Sequence, residues 1–111
     1  MLVARSSPFG GKTRTRVLLT LRLLSESYPR ELARVLDTDL YGVQQALKRL
    51  EVDGMVSGRS AGRTRLFRLN PRYFAYEDLQ RFLFRLAEPE RELKKRVEDL
   101  RRRPRRTSKP L

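Results

Sequence analysis

No cysteine, histidine or tryptophan occurs in the 111-residue chain. The missing cysteine excludes a disulfide scaffold, a thiolate nucleophile and a cysteine zinc site. It also suits a reducing compartment. The missing histidine removes the commonest general base and the commonest metal ligand. No nucleophile–base pair, glycine-rich phosphate loop or metal-ligating cluster stands out, so an enzyme is not expected, and neither is a cofactor or metal. Long apolar runs are absent too. The longest, Val17 to Leu24, is interrupted by Thr20 and Arg22 and falls short of the roughly 20 residues of a membrane span. Met1 to Gly11 lacks an apolar signal core of about 7–15 residues. A soluble, cytoplasmic protein with no membrane partner is the expectation.

Acidic residues are scarce. Thirteen Asp and Glu stand against 26 Lys and Arg, for a net charge of +13 and a sequence pI near 11.3. A field of this sign attracts polyanions, nucleic acid first among them. The length fits one domain with one modest core.

Residues 1–12 carry Ser6, Ser7, Pro8, Gly10 and Gly11 and read as a flexible arm, with Phe9 pinning its end. Thr13 to Ser27 reads as a helix, with Val17, Leu18, Leu21 and Leu24 on one stripe and Leu19 and Leu23 beside it. So apolar a helix is buried on more than one side, by its own domain alone or together with a second subunit. Tyr28 to Leu36 is a short helix with Pro29 at its first position. Asp37 and Thr38 turn the chain, and Asp39 caps a helix from Leu40 to Asp53 that Gly54 stops. Met55–Gly58 and Thr64–Leu69 read as strands around the loop Arg59–Arg63. Phe67 and Leu69 face inward, with Arg65 and Arg68 outward. Tyr76 to Glu88 is a helix with the stripe Leu79, Phe82, Leu83 and Leu86. Pro89 either kinks it or opens a further helix to about Arg102, along which Leu93, Val97 and Leu100 form a seam suited to helix pairing. Residues 103–111, basic and without acids, read as a disordered tail.

A helix, a short helix, a tight turn, a helix, a two-stranded hairpin and a helix follow the order of a winged helix-turn-helix. A close helix crossing wants a small residue, and Ala33 stands there. The turn wants tolerance of positive φ, which Asp37 offers. Val43 supplies the apolar anchor of the second helix. The fold class is therefore mainly α (α+β), with a two-stranded wing and an extended C-terminal helix. Residues 13–73 form the DNA-binding domain and 74–102 a helical extension for dimerisation.

The junction Leu47-Lys48-Arg49-Leu50-Glu51-Val52-Asp53-Gly54-Met55-Val56 resembles the helix-to-wing junction of arsenic-repressor-like (ArsR-like) regulators. Gly62 to Asn70 resembles their second wing strand. Asn70 to Leu79 is also similar to the end of winged-helix domains fused to nucleotidyltransferases. Neither the phosphate loop nor the paired aspartates of that enzyme are present, so its activity is not implied. The regulator resemblance implies a dimeric transcription regulator of the prokaryotic cytoplasm or nucleoid. Metal sensing is not implied, because the Cys and His it uses are absent, and no effector class is indicated.

On that reading helix 40–53 lies in the major groove of double-stranded DNA. Gln44 and Gln45 present amides suited to adenine N6/N7. Tyr41 reaches a phosphate or a thymine methyl, with Leu40 beside it at the helix start. Lys48 and Arg49 meet phosphates. The wing, residues 59–65, brings Arg59, Arg63 and Arg65 to the backbone or to a narrow minor groove. Lys12, Arg14 and Arg16 add backbone contacts. Two other functions fit the composition: a winged-helix module that docks on a protein, and an architectural binder that uses charge without reading bases.

Overall fold

The computed structural model describes residues 8–102. The basic tail at 103–111 and the first seven residues of the expected arm lie outside them. The first helix, α1 (Lys12–Leu24), is apolar on nearly every side. Thr15, Val17 to Leu21 and Leu24 are all buried within the chain. Its two buried threonines return their hydroxyls to the backbone, Thr15 Oγ1 to Gly11 O (3.0 Å) and Thr20 Oγ1 to Arg16 O (2.8 Å). A buried hydroxyl without a partner costs about 1–3 kcal/mol, and this local bond removes that cost. Burial here already comes from the chain's own elements.

α1 stops three residues before the expected Ser27. Ser25 turns out of the helix at φ 76, and Ser27 pairs instead with the wing. Its N–H donates to Phe67 O (3.0 Å), and Phe67 N–H donates back to Ser27 O (2.7 Å). This single bridge replaces another helical turn because it satisfies the same buried backbone groups. The Ser27 hydroxyl donates to the buried Glu31 Oε1 at 2.7 Å.

The second helix, α2 (Pro29–Leu36), opens on proline as expected. Asp37 takes the left-handed conformation, φ 53 and ψ 50. Thr38 N–H then reaches Ala33 O (3.0 Å) and Asp37 N–H reaches Arg34 O (3.2 Å), the paired bonds of a Schellman stop. The third helix, α3 (Leu40–Val52), is capped by Asp39, whose carboxylate accepts from Gly42 N–H at 3.2 Å. It ends on the same motif at Gly54, φ 81, with Met55 N–H on Leu50 O (3.0 Å). Val43, Ala46, Leu47 and Leu50 face the core.

Strands β1 (Val56–Ala61) and β2 (Thr64–Leu69) pair antiparallel from Val56↔Leu69 to Ala61↔Thr64. The loop expected at Arg59–Arg63 is therefore only Gly62-Arg63, and Arg59 and Ser60 belong to β1. Gly62 takes φ 66 and Arg63 does not take a positive φ, as a type II′ hairpin turn requires. Phe67 and Leu69 are buried as expected, and Arg65 and Arg68 are exposed. Asn70 closes the base of the hairpin through Nδ2 to Gly54 O (2.9 Å) and N–H to Met55 O (2.9 Å).

Two helices follow. α4 (Tyr76–Ala87) and α5 (Arg91–Arg102) are separate. Pro89 breaks the ladder because it lacks an N–H, and the extension expected over 74–102 bends there. Leu79, Leu83 and Ala87 are buried on α4. Phe82, expected inside, is 45% exposed, with Phe9 resting on it at 5.9 Å between ring centroids. α5 packs on α1 and α2, and Leu93 and Val97 are buried in the common core. Arg96 Nη1 fastens it to Val35 O (2.8 Å), and Arg101 to Leu23 O. The seam expected to pair two chains is thus covered within one. Among the described residues no helix is long and apolar enough to cross a membrane.

Gly58 sits opposite Phe67. A Cβ there would lie 2.8 Å from Phe67 Cε2 and 2.7 Å from Arg65 Nη2. The arginine can swing away, but the buried ring cannot. Gly58→Ala is expected to destabilise the fold by about 1–3 kcal/mol, read as a lower urea midpoint with an unchanged slope. A midpoint equal to wild type would mean that the ring does not need the missing side chain.

Candidate nucleic-acid interface

The core stripe of α3 leaves the opposite face to solvent. Tyr41, Gln44, Gln45, Lys48 and Arg49 are all exposed, while Leu40 is half-buried at the helix start. Tyr41 is 68% exposed and Val52, at the other end, 76%. Gly42 keeps the start of this face open, since a Cβ would meet Asp39 Oδ1 at 3.0 Å.

Grooves flank the face on both sides. Toward the wing, Gln44, Lys48 and Glu51 face Ser60, Arg63 and Arg65. This groove continues past Leu40 to Tyr28, Pro29 and Arg30 at the head of α2. On the other side Gln45, Lys48 and Arg49 border Lys12 and Arg14 at the head of α1. Gln44 thus lines the wing side, Gln45 the α1 side, and Lys48 both. Among the nine residues singled out from sequence, the five on the outer α3 face stand beside Leu40, Arg63 and Arg65 around these grooves, and Arg59 lines none of them.

Arg59 and Arg65 are differently employed. Arg59 meets Glu26 through Nε (3.3 Å) and Nη2 (3.4 Å). Arg65 meets Glu51 through Nη1 (3.3 Å) and Nη2 (2.9 Å), with its guanidinium 4.9 Å from the centre of the Phe67 ring. The hydrogen bonds to the Glu51 carboxylate hold that guanidinium above its already high ordinary pKa. Arg59 is paired with Leu66 and Arg65 with Ser60, so the two arginines lie on opposite faces of the ribbon. One face is tied to the loop after α1 and the other to α3. Arg49 pairs with Asp53 on its own helix at 3.4 Å. Arg63 and Lys48, both exposed, make no ion pair among the described residues.

Three participants escaped the sequence reading. Glu51 lies at helical spacing from Gln44 and Lys48, so the pattern placed it on this face. Glu26 gave no signal, because its partner is 33 residues away. Arg30 reaches the groove only because the turn at Asp37 folds α2 beside α3.

No protein-family model matches the sequence, and no curated protein does. Solved structures match in fold. A mutant MarR from E. coli in complex with operator DNA is 24% identical, over 86% of this chain and 74% of that one, with a TM-score of 0.58. The adhesin competence repressor AdcR from Streptococcus pyogenes is 21% identical over 83% and 75%, with a TM-score of 0.53. A mutant ZitR from Lactococcus lactis in its apo form is 17% identical over 86% and 70%, with a TM-score of 0.54. The likeness establishes a winged helix-turn-helix fold. It supports that broad class and not the ArsR-like family in particular. One of these proteins is named a repressor and another is bound to operator DNA, and neither description is that of an enzyme.

The two ion pairs are half-exposed, so each adds less than about 1 kcal/mol to stability. Their effect falls on wing position. Replacing both carboxylates, Glu26→Gln with Glu51→Gln, is expected to leave the urea midpoint nearly unchanged. Backbone order at Gly62 and Arg63 should fall, as measured by nitrogen-15 relaxation. Order parameters equal to wild type would mean that the strands alone hold the wing.

Proposed function

We propose that this protein is a sequence-reading, double-stranded DNA-binding transcription regulator that acts as a homodimer. The observation that carries the reading is the outer face of α3. It displays two neighbouring amides, Gln44 and Gln45, on a helix exposed along its length and flanked by cationic grooves. A major groove about 12 Å wide admits one helix, and a glutamine amide matches the donor–acceptor pair of adenine. Lys48, bordering both grooves, supplies a backbone contact, and Tyr41 sits nearest the bases at the helix start.

Within this reading Arg63 is the wing residue that enters the minor groove or meets the backbone. Arg59 and Arg65 act chiefly by holding the hairpin that presents it. Leu40 packs at the base of the contact rather than on the bases. A two-fold operator needs two recognition helices one turn apart. The second copy is expected to meet the exposed aromatics of α4, Phe82 and Phe84, which are 45% and 54% exposed, because the α5 seam is already covered. The MarR and AdcR likenesses support the regulatory role by analogy of fold alone.

Fluorescence anisotropy across a salt series tests the reading, with the DNA upstream of the protein's own gene beside a scrambled duplex. If a dimer neutralises about 6–10 phosphates, affinity falls about 10³–10⁵-fold between about 50 and 200 mM salt. Gln44→Ala with Gln45→Ala should reduce the preference for the native sequence by about 5–150-fold per lost bidentate contact. Tight but equal binding to both duplexes would replace the regulator with an architectural binder. No binding at moderate salt would leave the protein-docking module.

A further inference from the structure

The chain's positive charge is not concentrated on α3 and the wing. Residues 91–111 hold ten lysines and arginines against three acids, a net +7 of the chain's +13. Within α5 the acids are taken by neighbours on the same helix. Glu92 pairs with Arg96 at 3.1 Å, while Glu98 and Asp99 pair with Arg102 at 3.9 Å each. Arg91, Lys94 and Lys95 are left exposed, with no ion pair among the described residues. Arg101 joins them, one of its donors occupied by the Leu23 carbonyl and its charge not neutralised by a carboxylate among the described residues. These four cations fall at helical spacing on one face and rim a shallow groove over Leu23 and Val97, which Glu98, 3.9 Å from Arg102, also lines.

We propose that this face of α5 is a second DNA-binding surface, one that holds the phosphate backbone of duplex DNA irrespective of sequence. Arg91 to Arg101 spans about 15 Å at the α-helical rise. Laid along the DNA axis, that length passes about four phosphates of one strand at an axial rise of about 3.4 Å each. Two features of the face weigh against an apolar protein interface and against insertion into a bilayer. Val97 is only 4% exposed, so the groove floor offers little apolar area for a protein partner to bury. The apolar stripe of α5 is spent on α1 and α2, so no face remains to enter a bilayer. The proposal takes its ligand from the reading above but needs no base recognition. Affinity and reading are divided between two elements, with α5 holding and α3 discriminating.

The test is a full-length variant carrying Arg91→Gln, Lys94→Gln and Lys95→Gln. None of the three is buried, none is ion-paired among the described residues, and an unchanged thermal melt confirms that the variant folds. Against a random-sequence duplex at about 50 mM salt, its affinity should fall about tenfold or more, and the slope of log affinity on log salt should shrink by about two to three. Wild-type affinity and slope in the α5 variant would overturn the proposal. So would α5-dependent binding to phosphatidylserine vesicles with α5-independent binding to DNA. If no duplex is preferred over another, the regulator reading falls, and the random-duplex comparison still decides the role of α5.

Discussion

Everything in this molecule is positioned by a helix that has no solvent side to spare. α1 is buried from Thr15 through Leu21 with the exception of Arg16, and α2, α3, α4, α5 and β2 all pack on it. Such a helix cannot tilt or slide without opening cavities at several contacts at once, each costing a few kcal/mol for a leucine-sized loss. The threonine hydroxyls that interrupt its apolar sequence impose no penalty, because each is satisfied one turn back. The angle between α3 and the wing follows from this arrangement. α3 lies on one part of α1, and the Ser27–Phe67 bridge fixes β2 just beyond the other end.

A reading surface needs more than an exposed helix. Its side chains must stand in one place before the ligand arrives, since ordering them on binding costs affinity. Three local devices do this without large energies. Two Schellman stops, at Asp37 and Gly54, set where α2 ends and where β1 begins. The Asp39 cap fixes the first turn of α3, where Tyr41 sits. Two bidentate carboxylate–arginine pairs then guy the hairpin from opposite faces. Each pair contributes little to folding because water screens it, yet together they restrict a two-stranded ribbon that would be marginal alone.

Much of this was legible in the sequence, and for physical reasons. Helix stripes, Pro29 at a helix start, Asp39 as a cap and Gly54 as a stop are local signals, and each stands where the local chemistry put it except on α4, where Phe82 is left exposed. Asp37 in the left-handed region was readable because few other residues accept it. What the sequence hid was relational. Ser25 to Ser27 carry a helical pattern, and only the arrival of Phe67 across the fold gives Ser27 a better partner. Arg59 and Arg65 read as free cations because their carboxylates come from the loop after α1 and from α3. β1 ran longer than expected because the two residues Gly62 and Arg63 are enough to reverse the chain. Leu93, Val97 and Leu100 spell the same seam whether they meet another chain or fold back past Pro89, and periodicity cannot distinguish the two.

The employment of the wing arginines changes how the charge must be understood. An arginine held bidentately by a carboxylate can meet a phosphate only by giving up that partner, so its net gain is smaller than that of a free cation. With Arg59, Arg65 and Arg49 engaged, the outer face of α3 and the wing retain fewer uncommitted cations than their composition suggests, with Lys48 and Arg63 chief among them. Such a face is suited to discrimination, because its remaining contacts depend on fit and not on summed charge. On the proposed reading, Lys12, Arg14 and Arg30 beside this face and the cations of α5 supply the remaining counterion release. α5 is the element where carboxylates have been taken up by their own helical neighbours and a row of cations has been left uncommitted. The same accounting of ion pairs that weakens the wing as a source of affinity therefore strengthens α5 as one.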